Sequence, residues 1–262
     1  VVEQALRLLP AGGQTVTGSA KTGVILDGLS SKLLEGRFVQ TARGDVHLLL
    51  GETEAMDASR QLLGKPTPCL GRDRELAMLD GLFNDCRDES VSRAGLVLGA
   101  PGIGKSRVRH EFVRRLKDRG EPCSIIFGRS DPMSTEADYG LISQAIRRHC
   151  EISDNEPLEE RRRKLGERMS AVLPVDRAIR VTEFLGELCA IPFPDGASPL
   201  LAAARQNPRV MNQQVQSAVV DWLTAECQVQ PVLLVLEDLH WSDLLTVRLV
   251  DTILREIKSL PL

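Results

Sequence analysis

Aromatic side chains are scarce in this 262-residue sequence, with six Phe, two Trp and one Tyr. Proteins that grip single-stranded nucleic acid stack bases on such rings and neutralise phosphates with a basic surface. With so few rings and a formal charge of −3, the chain is not built as a nucleic-acid binder. No run of about eighteen apolar residues occurs, so no spanning helix is encoded and no membrane partner is expected. No secretory signal opens the chain. The six cysteines (Cys69, Cys86, Cys123, Cys150, Cys189, Cys227) are scattered, with no two at metal-ligand spacing, and the four histidines are equally dispersed. That pattern argues against a zinc site and for free thiols in a reducing cytoplasm. Val1 stands in place of an initiator Met and Leu262 falls on the approach to a strand, so the sequence reads as a piece of something longer.

What is present suffices for a core: 42% hydrophobic and 26% charged residues over a length that allows one large or two modest domains. Residues 1–63 differ from the rest. Val1 to Leu9 reads as a helix end with Ala5, Leu8 and Leu9 inward, closed by Pro10 and Gly12-Gly13. Short strand-like runs follow at 15–17, 23–26, 37–40 and 46–50, with a short helix near Leu29 to Leu34. This stretch is too small to bury a good core alone. Gly18-Ser-Ala-Lys21-Thr22 has only two residues between glycine and lysine and no apolar strand before it, so it is set aside.

Gly64-Lys-Pro66-Thr-Pro68 reads as a linker, since two prolines in three residues break helix and strand alike. Beyond it, Asp73 or a neighbour caps a helix with an apolar stripe of Leu76, Leu79, Phe83 and Cys86. Leu96 to Leu98 then run as a short strand into Gly99-Ala100-Pro101-Gly102-Ile103-Gly104-Lys105-Ser106, and a helix with Val108, Phe112 and Leu116 inward follows to Gly120. The spacing is G-x-x-x-x-G-K-S. Its glycines let the backbone curl so that N–H groups point at phosphate oxygens. Lys105 brings positive charge to the β/γ-phosphates, the Ser106 hydroxyl can ligate Mg²⁺, and the positive helix N-terminus faces the same anion. Cys123 to Phe127 is a second strand, and this β-loop-α-β order favours a parallel, doubly wound sheet.

Residues 139–190 read as helical, with Leu141, Ala145, Ile146 and His149 on one stripe and Glu159 to Lys164 a solvated charge run. Residues 191–208 read as loop-rich, and Val215 to Cys227 as a helix anchored by Trp222. Val232 to Leu236 is then a strand apolar on both faces, which belongs inside a sheet. It ends in Glu237 and Asp238, where ligands of open parallel sheets bind. In the usual order of such an acid pair the first acid serves the metal and the second polarises the attacking water. Glu237 is then the metal-side acid and Asp238 the base. The common order is Asp then Glu, so the reversed pair here implies slow hydrolysis. His240 is either a γ-phosphate sensor or a packing residue, and Asp243 caps a helix from Leu244 to Ile257 with Val247, Val250, Leu254 and Ile257 inward.

Three motifs, Leu70-Gly71-Arg72-Asp73-x-Glu75-Leu76, Gly99 to Ser106 and Leu234 to Asp243, together resemble the AAA/STAND-type P-loop ATPase module of large bacterial signalling proteins. The resemblance covers residues 64–262 and implies an α/β, doubly wound parallel sheet of P-loop NTPase type, ending before its sensor strand and lid. It implies ATP and Mg²⁺ as cofactors. ATP would lie on Gly99 to Ser106 and Arg107, with the Gly71-Arg72 turn beside the adenine and Mg²⁺ on Ser106 and Glu237. Lys105, Glu237 and Asp238 would carry the chemistry. Residues 1–63 more distantly resemble the closing strands of a cyclase-homology domain, a small mixed α/β remnant without its metal-binding carboxylates. The implied partners are flanking signalling domains in the same polypeptide, with self-association a further one. The implied function is a slowly hydrolysing regulatory switch. Two alternatives stay open: a non-hydrolysing nucleotide-bound scaffold, or an accessory module of a Ser/Thr kinase or nucleotide cyclase whose catalytic domain lies elsewhere.

Overall fold

In the computed structural model the described residues are 24–34, 38–44, 46–52, 61–62, 65–66, 69–130, 138–194, 196 and 198–262. The helix expected at 1–9, the strand at 15–17 and the discarded Gly18 to Thr22 loop lie outside them. The chain divides into two compact units, residues 1–71 with 107–111, and residues 72–106 with 112–262.

The first unit holds a three-stranded antiparallel sheet. β1 (Val24–Leu26) and β2 (Phe38–Arg43) both pair with β3 (Val46–Glu52), giving the order β1-β3-β2. Between β1 and β2 lies α1 (Gly28–Leu34), started by Asp27, whose Oδ1 accepts from the Ser30 N–H at 2.7 Å. The Gln40 side chain of β2 clamps α1 by accepting from Ser31 Oγ and donating to the Ser31 carbonyl. β4 (Gln61–Leu62) and β5 (Lys65–Pro66) form a minimal antiparallel pair at the expected linker.

The second unit is helix-rich around a parallel pair. α2 (Asp73–Glu89) buries Leu76, Phe83 and Cys86, most of the expected stripe. Its N-cap is Arg72 without a capping side chain, so the expected Asp73 cap does not form. α3 (Lys105–Asp118), whose residues 107–111 are counted with the first unit, buries Val108, Phe112 and Leu116 as expected, and Gly120 closes it at φ 65°. β6 (Ser124–Arg129) pairs in parallel with β7 (Val232–Glu237) over six residues, from Ser124 opposite Val232 to Arg129 opposite Glu237. Between them run α4 (Gly140–His149), α5 (Leu158–Val172), α6 (Val175–Leu188), α7 (Pro199–Arg205) and α8 (Pro208–Val229), and α9 (Leu244–Glu256) follows β7.

The core sits where these helices meet the pair. Trp222, Phe184, Leu165, Met169, Leu185 and Leu223 are all essentially inaccessible. Burying an aromatic or aliphatic side chain of this size stabilises by roughly 1.5–3 kcal/mol each. Two departures from the sequence reading have local causes. Residues 191–208 are not merely loop: Ser198 and Asn207 accept from Leu201 N and Arg209 N, and Pro199 and Pro208 open α7 and α8. Proline suits a first helical position because its missing N–H would lack a partner there anyway. In α9 the buried set is Thr246, Leu249 and Ile253, while Val247 is exposed. Thr246 is drawn inward by the cap, since Asp243 accepts from both its N–H (2.8 Å) and its hydroxyl (2.6 Å).

The larger departure lies before the phosphate loop. Residues 91–100 form no strand, and Leu96, Val97 and Leu98 are exposed at 75%, 46% and 80%. A strand exists only by pairing with a neighbour. The backbone donors here go instead to the C-terminal residues, Ser92 N to Lys258 O and Arg93 N to Leu262 O, while Val232 N donates to Pro261 O. Among the described residues of this unit the parallel sheet has two strands, β6 and β7.

Candidate functional site

Local chemistry shapes the phosphate loop. Gly102 and Gly104 sit at φ 80° and 101°, a region costly for residues with a Cβ, and Gly104 is the residue from which α3 starts. A Cβ on Gly99 would come within 2.8 Å of Ile103 Cγ2, so a larger residue there would push the Ile103 side chain aside. Lys105 begins α3 and folds back, donating from Nζ to the carbonyls of Gly99 (2.8 Å) and Ala100 (3.1 Å). Its ammonium is thus held across the loop mouth rather than out in solvent. Ser106 follows on the first helical turn with its side chain exposed, and Arg107 comes next on the same turn.

Arg72 reaches the same loop. Its Nη2 donates to the Ile103 carbonyl at 2.6 Å and its Nη1 pairs with Glu75 at 2.7 Å. That hydrogen bond holds the Glu75 carboxyl below the usual range. Gly71, at φ 69°, makes the turn that precedes it. The arginine of the first motif is therefore brought to the loop of the second, a contact between residues 31 apart in sequence.

Glu237 and Asp238 occupy the end of β7. Glu237 is the last residue of the ladder, opposite Arg129. Asp238 leaves the strand at φ 56°, in the left-handed region that Asn and Asp tolerate best, and starts a single turn over Leu239–Trp241. Its Oδ2 accepts from Arg129 Nε at 3.0 Å. Arg129 is a site residue that the sequence reading missed. Its signal was available, since it ends the strand that precedes the turn and so lies at the same sheet edge as the acids. The pair is half exposed on the arginine side, so its worth is about 0–1 kcal/mol. His240 is exposed and packs against its neighbour Trp241, ring centres 5.0 Å apart. Among the described residues no group of three His, Cys, Asp or Glu side chains is arranged to hold a metal. No helix among them is long and apolar enough to cross a membrane.

A glycine-shaped loop at a helix N-terminus, its lysine drawn across it, together with a parallel strand ending in acids, defines a P-loop nucleotide-binding module of α/β fold. The chain belongs to the AAA ATPase domain family, whose match spans residues 68–262. Neither a curated protein nor a solved structure matches the chain.

Proposed function

We propose that this chain is the ATP-binding switch of a multidomain signalling protein, with Mg·ATP seated on Gly99 to Ser106 and hydrolysed slowly. The observation that carries the reading is Lys105 folded over the carbonyls of Gly99 and Ala100 in a loop whose Gly102 and Gly104 sit at positive φ. Backbone amides and one lysine are what a phosphate chain requires, and the ammonium turns from those carbonyls to the phosphates when ATP binds. Arg72, which donates to the Ile103 carbonyl of the loop, flanks the base. Ser106 and Glu237 offer one hydroxyl and one carboxylate. That small donor set fits Mg²⁺, which keeps waters and phosphate oxygens for its remaining positions. When bound, the ion neutralises charge on the phosphates.

Asp238 is the base that orients and deprotonates water, and Lys105 stabilises charge on the departing phosphate. The pair in the order Glu then Asp puts the shorter side chain in the base position. Arg129 occupies that carboxylate as well, so two features slow the chemistry. The same ion pair supports the second reading, a nucleotide-bound scaffold that does not hydrolyse. A doubly wound sheet, flanking signalling domains, self-association and a cytoplasmic setting complete the proposal, which follows the AAA/STAND resemblance. ADP release by the full chain tests it. Wild type turns over slowly, Asp238→Asn lowers the rate about a hundredfold, and an Asp238→Asn rate equal to wild type removes Asp238 from the mechanism. No ADP above blank from wild type leaves the scaffold.

A further inference from the structure

A cavity of about 430 Å³ opens beside the acid-bearing strand end, lined by Arg129 and by Trp241 to Asp243. Its rim carries three guanidinium groups, Arg129, Arg147 and Arg148, and its wall is apolar at Leu141, Ile152 and Leu188. Ser130 lines it too. That serine is 8% exposed, and its Oγ is shielded from solvent without a hydrogen-bond partner. A buried hydroxyl left unsatisfied costs free energy unless something supplies the bond. Its backbone N–H is engaged, since Ser130 N donates to Glu237 O at 3.1 Å, so the residue is anchored to the strand end while its hydroxyl is not.

The acids on the same lining are already engaged on other duties or face water. Asp243 spends both oxygens on Thr246. Asp138 is exposed, and Asp154 pairs with Arg147 but is 83% exposed. Asp238, outside the lining, pairs with the half-exposed Arg129. Solvent-screened pairs of this kind are weak, so a better-desolvated anion exchanges for them readily. The Arg148 guanidinium lies over the Phe127 ring, its Cζ 5.1 Å from the ring centre.

We propose that this cavity binds a small organic anion, a carboxylate or phosphate monoester on an apolar body, that takes its hydrogen bonds from Ser130 and the rim arginines. Arg129 turns to the bound anion and leaves Asp238, so occupancy of the cavity frees the base. This second step rests on the switch reading above, whereas the binding step does not.

Calorimetric titration of the full chain with phenyl phosphate tests both steps. Phenyl phosphate binds one to one, and Arg148→Ala weakens it about tenfold and Ser130→Ala about threefold to tenfold. Ser130→Ala breaks no hydrogen bond of its side chain, so it reports the site without disturbing the fold. Benzyl alcohol, which has the ring without the charge, binds at least about tenfold more weakly. Lys105→Ala leaves phenyl phosphate affinity unchanged, which separates the cavity from the phosphate loop. Affinity unmoved by Ser130→Ala and Arg148→Ala, lost in Lys105→Ala, or matched by benzyl alcohol overturns the site. For the second step, saturating phenyl phosphate raises ATP turnover severalfold in wild type and leaves Arg129→Ala unchanged. Binding without any change in wild-type turnover overturns the role of Arg129. A wild type that produces no ADP at all removes the switch reading, while the titration still decides the cavity.

Discussion

The two halves of the proposed ATP site are built differently. The acid end of β7 is the tip of a six-residue parallel ladder backed by the aromatic and aliphatic core. The phosphate loop follows residues that join no ladder and leave Leu96, Val97 and Leu98 in water. What makes the loop is local: glycine dihedrals, one close approach and a lysine that satisfies two carbonyls. What makes the acid end is tertiary, because Asp238 meets Arg129 only once two distant strands pair. In the proposed reading, phosphate recognition thus travels with a short segment, whereas water activation depends on the packing of the whole unit.

That contrast is broken most sharply by removing the core behind β7. Trp222 is buried and donates from Nε1 to Glu226 at 3.0 Å. Trp222→Ala costs about 3–5 kcal/mol of unfolding free energy, measured by denaturant titration. A loss below about 1 kcal/mol would mean that the helices do not support the acid end.

Glu226 sharpens the same side through pH. Burial pushes its carboxyl up, but the hydrogen bond from His149, with the charges of His149 and Arg168, outweighs this and holds it below the ordinary value of 4.5. A depressed folded-state value adds stability that is fully present above the unfolded value and is lost as pH falls through the folded one. Wild type is therefore expected to lose stability below about pH 4.5. Glu226→Gln is less stable by about 1–3 kcal/mol at pH 7, and its deficit shrinks in acid. Parallel denaturation curves at pH 7 and pH 3.5 check this, and a deficit that stays constant contradicts it.

The smallest effect belongs to the other half. Leu98→Ser, at a position 80% exposed, changes stability by no more than about 0.5 kcal/mol. A loss of 2 kcal/mol or more, on the order of a core truncation, would show that this segment packs as a strand.

The same division governs what was legible in the sequence. The loop, the helix after it and strands β6 and β7 were readable because glycine spacing and apolar runs are local signals. The stripes on α2 and α3 followed from periodicity alone. The strand before the loop was misread because an apolar run such as Leu96 to Leu98 specifies a partner no more than it specifies its own shape. Helix α7 was missed although Ser198-Pro199 and Asn207-Pro208 are start signals, since four prolines in eighteen residues were weighed as breakers. Arg129, the arginine-rimmed cavity and the clustering of His149, Arg168 and Trp222 around Glu226 arise from residues far apart in the chain. No spacing announces them.

ATP affinity of the full chain with and without the lysine tests the loop as a nucleotide site most directly. Wild type binds ATP, and Lys105→Ala weakens binding by about tenfold to a hundredfold, as removal of a charge-assisted contact requires. Equal ATP affinity in the two proteins would contradict it.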